Sequence, residues 1–190
     1  MTKKTVVAKE NMSDINQLYM SALQNVCWKD PSDFVFATHY HKQWLLEQGS
    51  LSRRLEQYCQ ALTVSLLENQ VVPVDSLSLE EQFLIGEHEC LRRQVILQGD
   101  LSSWVFGRTL IPVPSLKNQQ YDLVRQGNIP LGLTVFSAEK VRRDALQVGL
   151  IETEIGPLFA RRSRLWMNEK PMLVAELFLP QAPIYTKETV

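Results

Sequence analysis

Three charged residues stand where strand geometry calls for apolar ones. In the segment after Cys90, alternation puts Leu91, Arg93, Val95 and Leu97 on one face and Cys90, Arg92, Gln94 and Gln98 on the other. Arg93 therefore points inward and Arg92 outward. Near the C-terminus, Met172, Val174, Glu176 and Phe178 alternate with Leu173, Ala175, Leu177 and Leu179. Both of these faces are apolar, so Glu176 is buried whichever one meets the core. Trp104, Phe106, Arg108 and Leu110 repeat the pattern around Arg108. An unpaired buried charge costs several kcal/mol even after relaxation, so each of these groups needs a partner or a ligand. Arg93 and Glu176 can pair as a structural ion bridge, or each can hold a ligand, and the pattern alone does not separate the two. A buried ion pair seldom improves on an apolar one, which favours a functional reason for keeping the charges.

Other chemistries find less support. Cys27, Cys59 and Cys90 are widely spaced, without a C-x-x-C pair, and read as reduced, small apolar residues. His88 lies two residues before Cys90, a spacing that does not make a nucleophile and its base. His39 and His41 can share one side of a strand, but a zinc site needs three or four ligands, and a loop pair is the better reading. No Gly-rich phosphate loop, G-x-S-x-G elbow or H-E-x-x-H occurs. No metal or cofactor is expected. Arg161, Arg162 and Arg164 form a basic cluster, which strand alternation divides between two faces. A solvated edge with one inward arginine is the expectation.

The elements that must carry these residues follow from periodicity. Ile15, Leu18, Tyr19, Ala22, Leu23 and Val26 recur at helical spacing, with Ser13 or Asp14 as the cap. Trp44 to Leu46 and Leu51 to Tyr58 read as two helical pieces broken at Gly49-Ser50, Gly49 ending the first and Ser50 capping the second. Leu62 to Leu66 alternates as a strand. Ser78 and Glu81 form a capping box for a short helix ending near Gly86. Cys90 to Leu97 and Trp104 to Val113 make an antiparallel hairpin through Gly99-Asp100. Ser115 to Arg125 is predicted helical, stopped by Gly127 and Pro130. Val141 to Val148 fits strand or helix equally. Ser163 to Met167 and Pro171 to Leu179 form a last hairpin through Asn168-Glu169-Lys170. Strands on short turns with helices inserted between groups of them predict an α+β fold with a single antiparallel β-sheet and helices packed on it.

At 190 residues, 45% of them hydrophobic, the chain is sized for one core. Residues 1–12 are expected to be disordered and 13–190 to form a single domain. The net charge of −1 and the scattered basic residues give no footprint for nucleic acid or an anionic membrane, so a small molecule is the expected partner. No stretch of about 18 apolar residues predicts a membrane span, and the Lys-rich start lacks the apolar run of a signal peptide. A cytoplasmic location is expected.

Several segments, in this order, resemble the chorismate pyruvate lyase family. They are Trp44-Leu45-Leu46 through Leu51-Ser52-Arg53-Arg54-Leu55, Leu91-Arg92-Arg93, Trp104-Val105-Phe106-Gly107-Arg108-Thr109 and Pro130-Leu131-Gly132. Arg161-Arg162-Ser163-Arg164-Leu165 and Ala175-Glu176-Leu177-Phe178-Leu179-Pro180 follow, closing at Ala182-Pro183-Ile184-Tyr185. The match runs from about Trp44 to Tyr185. The resemblance implies a cofactor-free lyase that splits chorismate into 4-hydroxybenzoate and pyruvate, the first committed step toward ubiquinone. It implies a monomer whose ligand is enclosed beneath two helical flaps; because the product keeps the ring carboxylate and the 4-hydroxyl, strong inhibition by 4-hydroxybenzoate is expected. Its motif positions put the ring-carboxylate arginine at Arg93 and the glutamate that meets the 4-hydroxyl at Glu176, the two residues that alternation had placed inside. Backbone contacts fall on Leu51 and Leu131; position 51 carries Leu where the best-known members carry Met.

Loss of the enolpyruvyl ether together with the hydrogen at C4 makes the ring aromatic. The protein's share is then to fix the substrate conformer and stabilise charge in a site closed to water. Glu176 either moves a proton or only orients the hydroxyl. The enolpyruvyl carboxylate needs a cation of its own, with Arg108 as first choice and Arg162 second. The rival function is a non-catalytic small-molecule-binding domain, as in the effector-binding domains of certain bacterial transcription regulators, whose fold is similar. Those carry a winged helix ahead of the domain, whereas here about 40 residues with one helix precede the match.

Overall fold

The computed structural model describes residues 16–117, 122–138 and 140–186. The expected disorder of 1–12 and the cap at Ser13 or Asp14 lie outside that range. Six antiparallel strands form one sheet: β1 (Leu62–Val72), β2 (Cys90–Gly99), β3 (Ser102–Pro112), β4 (Val141–Thr153), β5 (Gly156–Met167) and β6 (Lys170–Phe178), in the order β1-β2-β3-β6-β5-β4. Two hairpins turn on paired residues with positive φ, Asp100 (47°) with Leu101 (74°), and Asn168 (52°) with Glu169 (62°). That is the type I′ form, whose twist matches the strands it joins. The Asp100 carboxylate also accepts from the N–H groups of Gln60 and Ala61, fixing the approach to β1.

Helices cover both faces of the sheet. On one lie α2 (His39–Leu45), α3 (Leu51–Leu55), α5 (Val113–Leu116) and α6 (Leu131–Val135); on the other lie α1 (16–24) and α4 (Leu79–Ile85). Trp44, Leu45, Leu55, Val105 and Phe178 pack on the first side, and Leu23, Val26, Phe106 and Leu177 on the second. This explains the two apolar faces of β6: it is central and covered above and below. Ser78 and Glu81 close their capping box at the start of α4, and Gly86 (φ 89°) ends it.

Some elements differ from their sequence patterns, each for a local reason. β1 runs beyond Leu66 to Val72 and β4 covers the ambiguous segment, because each contains a bulge, between Leu66 and Glu68 and between Asp144 and Gln147. An extra residue breaks the period-2 signal; in β4 the bulge holds Ala145 at φ 46°. The helix predicted for Ser115 to Arg125 is reduced to α5, residues 118–121 lying outside the described range. Asp122 turns its carboxylate onto the N–H groups of Val124 and Arg125, a local bond that competes with helix. His39 and His41 sit neither on a strand nor in a loop but in the first turn of α2, which Thr38 caps by accepting from His41 N–H. Gly49 does not end α2, whose last residue is Leu45, but Ser50 does cap α3. β5 is flanked by β6 and β4, so the Arg161-Arg162-Arg164 cluster is no solvated edge; Arg161 and Arg162 are both buried.

Cys27 is exposed, Cys59 half-buried and Cys90 buried, where desolvation pushes its thiol up to about 11. Among the described residues no helix is long and apolar enough to cross a membrane, and no group of His, Cys, Asp and Glu is placed to hold a metal.

The chain after α1 is strapped to β4 by reciprocal bonds between Lys29 and Val148, both 2.9 Å. Gly149 permits that approach: a Cβ there would lie 2.3 Å from Val26 Cγ1 and 3.1 Å from the Cys27 carbonyl oxygen. Gly149→Ala is therefore expected to cost about 1–3 kcal/mol through overpacking, read as a lower urea midpoint with an unchanged slope.

Candidate active site

Register assembles the site. Across β2, β3, β6 and β5, Val95, Gly107, Glu176 and Arg161 stand side by side, and Arg93, Thr109, Val174 and Ser163 form the next row on the same face. Gly107 has no side chain beside Glu176, and the space it leaves becomes part of a small cavity of about 50 Å³ between the sheet and the helices α3 and α6. Leu51, Leu131, Phe136, Gly107, Glu176 and Arg143 contribute to its walls. Leu51 and Leu131 are the first residues of α3 and α6, where backbone N–H groups have no acceptor within the helix. The two helices meet closely, since a Cβ on Gly132 would come within 2.9 Å of Ser50 Oγ.

Glu176 is paired, though not with Arg93. Arg161 Nε donates to Glu176 Oε2 at 2.5 Å, while Arg161 Nη1 donates to the carbonyls of Glu47 (3.0 Å) and Trp44 (3.3 Å) at the end of α2. Arg161 has no exposed surface. Arg93 is 1% exposed and donates through Nη2 to the carbonyls of Gly127 (2.7 Å) and Ile129 (3.2 Å), in the segment that leads into α6. Its Nη1 is buried without a partner among the described residues, and burial pushes its pKa down. Arg93 does not itself line the cavity; Thr109, its neighbour on β3, does. The structural ion bridge between Arg93 and Glu176 is thus replaced by one between Arg161 and Glu176.

Arg108 and Arg162 are not brought to this cavity. Arg108 sits opposite Gln94, one residue out of step with Arg93, and projects from the other face. There it donates to Glu81 of the capping box, while Arg162 pairs with Glu80 and lies 4.8 Å over the Trp28 ring. Both border a separate, more open cleft. With both sheet faces buried, alternation within one strand showed that Arg108 was inward but not toward which side.

Arg143, on β4, is the residue that sequence reasoning missed. Its guanidinium donates to the carbonyls of Gln48 and Gly49, each at 3.2 Å, and to Ser163 Oγ, and lies 5.6 Å from the centre of the Phe136 ring. Burial, then the neighbouring Arg161, push its pKa down to about 10. The bulge that follows Asp144 had removed the alternation that would have marked it.

A family model described as chorismate lyase matches residues 22–190. A probable chorismate pyruvate-lyase of Vibrio cholerae is 58% identical over 179 residues, covering 94% of this chain and all of the relative. One from Aliivibrio fischeri is 59% identical, covering 93% and 98%, and a chorismate pyruvate-lyase of Pectobacterium carotovorum is 37% identical, covering 86% and 89%. Among solved structures, the ligand-binding domain of a GntR-family transcriptional regulator from Bordetella bronchiseptica is similar at a TM-score of 0.49 and 15% identity, over 64% of this chain and 86% of that one.

Removing one partner of a buried ion pair strands the other, at a cost of about 3–5 kcal/mol. Arg161→Met is expected to lower stability by that order, and Arg161→Met with Glu176→Met by clearly less than the sum of the single changes. Additive losses in the double-mutant cycle would show the two residues to be uncoupled.

Proposed function

The chain belongs to the chorismate lyase family, and we propose on that premise that it converts chorismate into 4-hydroxybenzoate and pyruvate in the cavity between α3, α6 and the sheet. The reaction balances without water or redox change. The ether bond at C3 breaks, the hydrogen at C4 passes to the methylene carbon of the departing enolpyruvyl group, and the ring becomes aromatic. The product is the first committed intermediate toward ubiquinone. The observation that carries the siting is Glu176 beside Gly107 in an otherwise largely apolar cavity, with Arg93, whose Nη1 has no partner among the described residues, one row away.

In this reading Arg93 holds the ring carboxylate through its free Nη1, a charge-assisted bond of the strong class. Glu176 accepts the 4-hydroxyl. With Oε2 already taken by Arg161, it orients the hydroxyl and the hydrogen moves directly between substrate atoms. The backbone N–H groups of Leu51 and Leu131 meet the ligand from α3 and α6, which act as flaps. Product retains both handles and loses only the pyruvate portion, so it binds about as well as substrate and leaves only when the flaps part. Such openings commonly limit turnover.

Purified protein mixed with chorismate is expected to release 4-hydroxybenzoate and pyruvate in equal amounts, with an initial burst; a binding-only domain would hold 4-hydroxybenzoate without forming it. Arg93→Ala should weaken 4-hydroxybenzoate binding by about 2–5 kcal/mol, and Glu176→Gln should lower turnover more than melting temperature. Chorismate deuterated at C4 should yield pyruvate with one deuterium in its methyl group. Loss of that label to solvent would assign the proton transfer to the protein instead.

A further inference from the structure

We infer that Arg143 is the residue that receives the enolpyruvyl carboxylate of chorismate, a handle that the monocarboxylate product lacks. The inference rests on the reading above. In chorismate the ether carbon C3 adjoins the hydroxyl carbon C4, so the second carboxylate must lie at the Glu176 end of the cavity, away from Arg93. The cation found there is Arg143, which lines the cavity, interacts electrostatically with Glu176 and Arg161, and stands against Phe136. Arg161 does not line the cavity, and although its Nη2 has no partner among the described residues, its Nε and Nη1 are held by Glu176 and by the carbonyls of Glu47 and Trp44; Arg108 and Arg162 are on the far side of the sheet with Glu81 and Glu80.

Charge counting leads to the same place. Arg93, Arg143 and Arg161 project from one face with Glu176, three cations against one anion, while Glu47 nearby is matched by Arg54 at 3.0 Å. The excess of two positive charges equals the charge of a dicarboxylate. The depressed pKa of Arg143 agrees, since burial and the neighbouring Arg161 outweigh the opposing pull of Glu176 and Glu47. Its bonds to Gln48 and Gly49 place it at the loop that leads into α3, so a carboxylate held there also sits where the cavity is covered.

The test separates substrate from product. In Arg143→Gln, kcat/KM for chorismate is expected to fall about 10- to 100-fold, the range of a lost charge-assisted hydrogen bond, while the inhibition constant of 4-hydroxybenzoate moves by less than about threefold. Arg143→Lys keeps the charge without the fork and should show the same split at smaller size, which also serves if the Gln variant does not fold. A parallel loss for chorismate and 4-hydroxybenzoate would overturn the inference in favour of a role in ordering the Gln48-Gly49 loop, and an unchanged kcat/KM would overturn it outright. Failure of the underlying reading looks different: the unaltered protein would form no 4-hydroxybenzoate.

Discussion

The ion pair between Arg161 and Glu176 is the constraint on which the architecture of the cavity depends. A guanidinium with no exposed surface is held by the bonds of its Nε to Glu176 and of its Nη1 to two carbonyls at the end of α2, while its Nη2 is buried without a partner among the described residues. Those bonds tie β5 to β6 and fix the point from which the chain leaves α2 toward α3. They also hold one oxygen of Glu176, which settles the direction in which the carboxylate faces. A neutral pair would pack as well but would fix neither the carboxylate nor the path of the chain above it.

Around that pair, the site is built by leaving things out. Gly107 leaves space beside Glu176, and Gly132 lets α6 approach Ser50. Arg93 gives Nη2 to the segment before α6, and its Nη1 is without a partner among the described residues. The second face of the sheet shows the contrast. There Arg108 and Arg162 have Glu81 and Glu80 as counter-charges, and the balance is struck within the protein.

The sequence carried much of this, and its failures share one cause. Alternation in β2 and β6 was enough to put Arg93 and Glu176 inside, because a single charge in an apolar run is conspicuous whatever covers it. The capping box at Ser78 was legible because its chemistry is local, and the two hairpins were placed to within a residue, the turns falling on Asp100-Leu101 and Asn168-Glu169 rather than on Gly99-Asp100 and Asn168-Glu169-Lys170. Which inward residues share a face is not local: it depends on register between strands, and Arg108 is one step away from the row that contains Gly107 and Glu176. Arg143 was hidden by a bulge, which adds one residue and inverts the reading of everything beyond it. Arg161 was visible as part of a basic cluster, but its burial follows from β5 being flanked on both sides, a fact of topology.

The strand order has a consequence for how the molecule comes into being. Among the described residues β6 is the last strand in sequence, yet it lies between β3 and β5, near the middle of the sheet. Until it emerges from the ribosome, β1-β2-β3 and β4-β5 are two separate ladders, each with an open edge that would accept a foreign strand. Insertion of β6 joins them and in the same step delivers Glu176 to Arg161. The nascent chain therefore carries Arg161 without its counter-charge until β6 has been made, and the cavity is completed by the same event that closes the sheet. Late closure through distant pairings is slow by nature, which gives the unfinished halves time to meet copies of themselves.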